Sequence, residues 1–332
     1  MRPASPPRKS TQTRSVADSG VSRTRIVAAF AAIYIIWGST YLAIKFVVET
    51  MPPFLTAGVR FVISGAILYL WSRWRSAERP NRLQWRNTAI VGALLLLGGN
   101  GGVVWAVQYV PSGIAALLVA ILPFWMVLID WLRPRGERPS RGVVIGLVVG
   151  LIGLLVLVGP SALDPGLEAN ASRSAGDGIR LSAAIALVLA SLSWALGSIF
   201  SRYASMPKSA NLATGMEMLC GGILLLAVSF IANEPMQFDP AVVSARSVAG
   251  LVYLITIGSL IGFTAYIWLL KVAPPARVAT YAYVNPVVAV FLGWALAGES
   301  LSLRTAIAAA IIIGAVALIT TARSSSPPPE PA

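Results

Sequence analysis

"WGSTYLAIKFVVETMPPFLTAGVR", residues 37–60, and "WALGSIFSRYASMPKSANLATGME", residues 194–217, are the stretches whose comparison decides the fold. At an offset of 157, Trp37 meets Trp194, Lys45 meets Arg202, Gly58 meets Gly215 and Arg60 meets Glu217. The same register takes Gly65 to Gly222. Later, an offset of 163 takes Trp105 to Trp268, Gln108 to Lys271, Pro111 to Pro274 and Pro123 to Pro286. Gly136-Glu137 recurs as Gly298-Glu299. The chain therefore reads as two related halves.

Of the 332 residues, 56% are hydrophobic and 12% charged. An ordinary globular domain is about 25% charged. This much apolar sequence points to an all-α integral membrane protein. Ten apolar segments are long enough to span: 26–48, 53–74, 88–110, 112–132, 141–160, 179–204, 211–232, 248–271, 275–297 and 303–322. The net charge of +13 follows the membrane rather than a nucleic acid. With the N-terminus cytoplasmic, 20 of the 26 Lys and Arg fall in inside segments and four in outside loops. That bias predicts a multi-pass chain with both termini on the cytoplasmic face of the membrane. The partners expected are the lipid bilayer and a small-molecule substrate, with no nucleic acid.

Residues 1–25 read as a disordered basic cytoplasmic tail and 323–332 as a second disordered tail, from their Pro and Ser content. The run after residue 25 is too long for a signal peptide. Residues 26–160 form the first repeat, 161–178 an external linker and 179–322 the second repeat. Five spans per half is an odd number, so the second half must enter the membrane from the opposite side. Inverted repeats of this kind mark secondary transporters, with the substrate near the midplane between halves. The chain has no histidine and a single cysteine, Cys220. That removes His-dependent zinc motifs and Ser-His-Asp triads, and a lone cysteine has no metal-ligand spacing. There is no P-loop either. No cofactor, no metal and no enzymatic activity are expected.

"IYIIWGSTYLAIKFVVETMPPFLTAGVRFVISGAILYL" resembles the opening of an EamA domain of the drug/metabolite transporter superfamily. "VPSGIAALLVAILPFWMVLIDWL" and "TYAYVNPVVAVFLGWALAGESLS" resemble the matching signatures late in each half. The whole pattern, over about residues 26–321, is most similar to YedA-like permeases of bacterial inner membranes. The resemblance implies a basket of ten transmembrane helices, built as two inverted five-helix repeats. Spans 1, 3, 4, 6, 8 and 9 would surround a central cavity. It also implies export of small metabolites, amino acids or drug-like compounds by alternating access. A channel-like facilitator or uniporter on the same fold is the alternative.

Helical spacing puts Trp37, Tyr41 and Lys45 on one face of span 1. Trp and Tyr offer flat apolar surface with a polar handle, suited to an amphipathic guest. Asn100, within "GGNGG", is either interhelical glue or cavity lining, and its glycines permit close helix approach. Trp105, Trp194, Tyr266, Tyr281 and Asn285 complete the cavity candidates. Pro123 and Pro286 are hinge candidates, because proline frees the carbonyl one turn earlier. The charged residues suggest ion pairs. Lys45 is expected to pair with Glu49, Arg60 with Glu49 across the turn, and Glu217 with Arg202. Substrate contact is the other reading for Lys45, and substrate contact or proton coupling for Glu217. Gly142, Gly146, Gly150 and Gly153 form a ridge against span 10 or a second protomer, which leaves a homodimer open.

Overall fold

The computed structural model describes residues 22–75, 79–132, 139–158, 180–272, 278 and 281–324. Residues 161–178 and most of both tails lie outside them. Among the described residues every regular element is helical. The rods are α1 (Arg23–Val48), α2 (Pro53–Arg75), α3 (Arg82–Ala106), α4 (Ser112–Leu132) and α5 (Arg141–Val158). They continue as α6 (Leu181–Tyr203), α7 (Ala210–Ile231), α8 (from Ala245 to Val272), α9 (Tyr281–Ala297) and α10 (Leu303–Ser324).

Eight helices, α1 to α8, are long and apolar enough to cross a membrane. In α9 and α10 the apolar parts are shorter, Val284–Ala297 and Leu303–Ile319. Ten spans were expected, and eight reach that length and composition. Span 3 begins earlier than expected, at Arg82, because Asn81 caps the helix. Its side chain accepts from the Gln84 amide while Gln84 reciprocates.

Three rods are irregular among the described residues. α3 is π-helical over Ala93–Gly101 and α8 over Leu254–Ile261. These stretches occupy corresponding places in the two sequence halves. α4 is broken at residues 120–121, between Ser112–Val119 and Leu122–Leu132. Pro123 supplies the reason, since its ring excludes the carbonyl of Val119 from the helical pattern. Pro286 has a different outcome and lies inside the continuous helix α9.

Helix packing runs on small residues, as expected where lipid removes the hydrophobic drive between helices. α2 and α7 cross closely. A methyl group at Gly65 would lie 2.9 Å from the Gly215 carbonyl oxygen, and one at Gly222 would lie 3.1 Å from that of Gly58. As α2 ascends from Gly58 to Gly65, its neighbour descends from Gly222 to Gly215, so the two helices are antiparallel. α5 and α10 do the same. Gly146 packs on Ala315 and Ile319, and Gly153 on Ile312. The glycine ridge thus faces α10 of the same chain.

The halves interlock. α1, from the first half, packs on α8 and α9, whereas α6, from the second, packs on α3 and α4. Gly38 admits Val288 of α9, and Gly99 admits the Trp194 ring of α6. The main core runs through Ala43, Phe61, Val104, Leu117, Leu187 and Leu225, all buried.

Candidate functional site

α1, α8 and α9 bring four aromatic rings together. The Trp37 ring centroid lies 5.0 Å from Tyr266, 5.0 Å from Tyr281 and 5.4 Å from Phe263. Tyr266 and Tyr281 meet edge to face at 5.9 Å. Gly262 makes this possible, because a methyl group there would lie 2.6 Å from Trp37 Nε1. Tyr41 lies one turn further along α1, near Tyr281. Four residues chosen from the sequence therefore share one region, with Phe263 as an addition. Below it, Ile33, Leu269 and Val278 form a separate buried cluster with Phe30 and Tyr34 against it.

The expected ion pairs do not form among the described residues. Arg60 is buried at 5% exposure and donates from Nε to Ser259 Oγ of α8 at 3.0 Å. Its Cζ also lies 4.6 Å from the Phe61 ring centre. Glu49 is exposed just past the end of α1 and reaches neither Lys45 nor Arg60. Lys45 is half-buried in the last turn of α1. Arg202 is exposed at the end of α6 and makes no ion pair with Glu217 among the described residues. Glu217 instead belongs to the region where α7 meets Gly92 of α3, beside Thr88 and Cys220. For the two pairs expected across a turn the reason is common. Neighbours across a sequence turn lie on helices whose partners are in the other half of the chain.

Asn100 is half-buried in the π-helical part of α3 and makes no hydrogen bond to the described residues. Of its two readings, glue between helices is not seen here. Trp105 meets Tyr109 at a tilt of 59° with ring centroids 5.1 Å apart, and Arg180 covers the Tyr109 ring at 4.6 Å. Trp194 lies over Gly99. The Asn285 side-chain oxygen is buried without a hydrogen-bond donor at the crossing of α1 and α9. A small apolar cavity between α1, α2, α3 and α8 includes Ile44, Val47, Val104 and Leu254 in its wall, with Arg60 as its charged member. A second lies between α4, α5 and α10 and is apolar throughout.

Sequence reasoning missed two carboxylates. Glu234 accepts from the amides of Phe54 at 3.2 Å and Leu55 at 2.7 Å, at the start of α2. Glu299 accepts from those of Ser112 at 2.6 Å and Gly113 at 3.1 Å, at the start of α4. Each follows a residue with left-handed backbone, Asn233 (φ 61°) and Gly298 (φ 66°). That conformation ends α7 or α9 and returns the next side chain toward the neighbouring helix start. Only the Gly298-Glu299 repeat hinted at this in the sequence. Its counterpart Gly136-Glu137 lies outside the described residues. Ser39 was also passed over. Its hydroxyl lies 2.6 Å from that of Tyr253, joining α1 to α8.

Comparison with known proteins gives this geometry a family. The EamA-like transporter family matches twice, over residues 24–159 and 181–321. The chain is 36% identical over 296 residues to "Uncharacterized inner membrane transporter YedA" of Escherichia coli, covering 89% of this chain and 90% of that one. It is 26% identical to "Uncharacterized transporter YoaV" of Bacillus subtilis over 87% of this chain and 94% of the other. A solved structure described as "Crystal structure of protein" covers 90% of this chain and 98% of its own, with TM-score 0.58 and 24% identity. That likeness concerns the fold. From two family matches and the identity to its bacterial relative, the chain belongs to the EamA-like transporter family.

Proposed function

We propose that the protein is a secondary transporter of a bacterial inner membrane, exporting small organic molecules by alternating access. The observation that carries this is the exchange of glycine contacts between α2 and α7. Sequence alignment equates Gly58 with Gly215 and Gly65 with Gly222. In space Gly58 meets Gly222 and Gly65 meets Gly215. Such reciprocal contact is the mark of a two-fold relation between like surfaces. It supports two inverted five-helix repeats, 26–160 and 179–322, clasped about a shared axis. That layout puts the linker, 161–178, on the outer face. Interlocking of α1 with α8 and α9, and of α6 with α3 and α4, lets the halves swap roles as access alternates. The aromatic group at Trp37, Tyr266 and Tyr281 supports a guest site with flat apolar walls. Asn100, Trp105, Trp194 and Asn285 are proposed as further lining, Glu217 and Arg202 as coupling candidates. Both termini are proposed to be cytoplasmic, from the bias of Lys and Arg. Neither an enzymatic role nor a nucleic-acid partner is part of this reading. A homodimer is not needed to occupy the glycine ridge.

Purified full-length protein in liposomes tests the reading, by counterflow of labelled amino acids, small organic carboxylates and cationic drugs with and without an imposed proton gradient. Uphill accumulation that an uncoupler collapses is the expected result. Flux that only equilibrates supports the facilitator. Absence of flux for every compound argues against transport. Glu217→Gln that leaves both rate and pH dependence unchanged removes Glu217 from coupling.

A further inference from the structure

We propose that the pocket beside Arg60 binds the charged head of an organic monoanion, a small carboxylate with an apolar body, and that Arg60 reads its charge. The proposal rests on the transport reading for the use made of this site. Its chemistry comes from the residues alone.

A buried cation is costly unless it is paired. Arg60 is 5% exposed, yet its single hydrogen bond among the described residues runs from Nε to the neutral hydroxyl of Ser259. A guanidinium carries five N–H groups, and the four on Nη1 and Nη2 are left without a protein acceptor. The π face of Phe61, 4.6 Å away, offsets part of the charge but accepts no hydrogen bond along the guanidinium edge. The nearest carboxylate in sequence, Glu49, faces solvent.

The surroundings define the ligand. Gly258 leaves one flank bare, since a methyl group there would lie 3.5 Å from Arg60 Nη2 and 3.3 Å from the Thr40 methyl. The adjoining wall is aliphatic, from Ile44, Val47, Val104 and Leu254. Thr56 adds one hydroxyl, already donating to the carbonyls of Pro52 and Pro53 at 2.8 and 3.1 Å. The lining holds no acidic side chain. It has a partner for a carboxylate and none for an ammonium group, which excludes zwitterions and cations as the guests it selects. A planar fork of N–H donors fits a carboxylate through two parallel hydrogen bonds. In this conformation the cavity holds no more than about one water molecule, so the proposal requires α1 and α8 to part before the guest enters. The π-helical turn that carries Gly258 and Ser259 is the kind of local irregularity found at ligand sites.

Thermal unfolding of the detergent-purified full chain is the test. The probes are hexanoate, benzoate and phenylacetate, each against its neutral amide, with leucine and sulfate as further arms. The expected result is saturable stabilisation by at least one carboxylate and not by its amide. Arg60→Met weakens that binding at least tenfold, while Arg60→Lys keeps part of it. Gly258→Val, which covers the Nη2 flank but retains Arg60, weakens it as well and serves if Arg60→Met does not fold. Stabilisation by leucine or sulfate as strong as by the carboxylates overturns the proposal. So does equal binding of acid and amide, or full binding by both Arg60→Met and Gly258→Val. Counterflow of the bound carboxylate separates the two readings. Binding without counterflow sinks transport and leaves the site. Counterflow of other cargo, with no carboxylate bound, does the reverse.

Discussion

Lys45 is a cation in the last turn of α1, half-buried and without an ion pair to Glu49. A lysine so placed keeps its stem on apolar surface and extends its ammonium to the interface. Lys45→Met should then change unfolding free energy by no more than about 0.5 kcal/mol, with no new salt dependence. Denaturant titration at low and high salt reads this directly, and a marked salt effect in the wild type alone would restore the ion pair. Ser39 carries more structural weight than its size suggests. Its hydroxyl bonds to Tyr253 between α1 and α8. A double-mutant cycle of Ser39→Ala and Tyr253→Phe should give a coupling of about 0.6 kcal/mol, the usual worth of a hydrogen bond between membrane helices. Additive effects would mean that the contact contributes nothing to stability.

Among the elements, the helix starts of α2 and α4 are tied to distant parts of the chain. The first amides of a helix have no internal partner, and a carboxylate both bonds them and meets the positive end of the helix dipole. Glu234 and Glu299 each bond two such amides. Glu299→Ala should therefore cost about 0.5–2 kcal/mol of stability, as the loss of a helix cap does. A lowered melting temperature of the purified protein is the readout. Glu299→Gln, which keeps one acceptor oxygen, should recover part of it. The crossing of α2 and α7 is less tolerant. A methyl group at Gly65 would come within 2.7 Å of the Leu219 amide nitrogen, which is backbone and cannot swing aside. Gly65→Ala should cost about 1–3 kcal/mol through overpacking. Wild-type thermal stability in that variant would show that the helices have room to separate.

At the scale of the whole molecule, the prediction concerns sidedness. An even number of spans returns the chain to the face it left. In a Cys220→Ala background, single cysteines in place of Ser22 and Ser324 should react with an impermeant reagent from the same, cytoplasmic face. Labelling from opposite faces would leave an odd number of crossings and end the inverted-repeat arrangement. On the proposed two-fold relation, the two halves differ in charge. Arg60 and Glu217 hold corresponding positions, one against α8 and the other near α3. A cation and a carboxylate thus occupy like sites in the two halves, so the halves share a scaffold and differ in chemistry.

The helical membrane class and the kinship of the halves were legible in the sequence, because bilayer thickness and the absence of water force long apolar runs on any spanning helix. Trp37 and Tyr41 were legible too, by the four-residue spacing that sets side chains on one helix face. The partners of Arg60, Glu217 and Glu299 were not. Sequence proximity suggested Glu49 and Arg202, but interlocked halves bring Ser259 to Arg60 and Ser112 to Glu299. Nor did the glycines at 58, 65, 215 and 222 reveal that they meet crosswise. Local rules govern which residues share a face of one helix. Which faces then touch depends on how the two halves fit together, and that is settled only when the chain is packed.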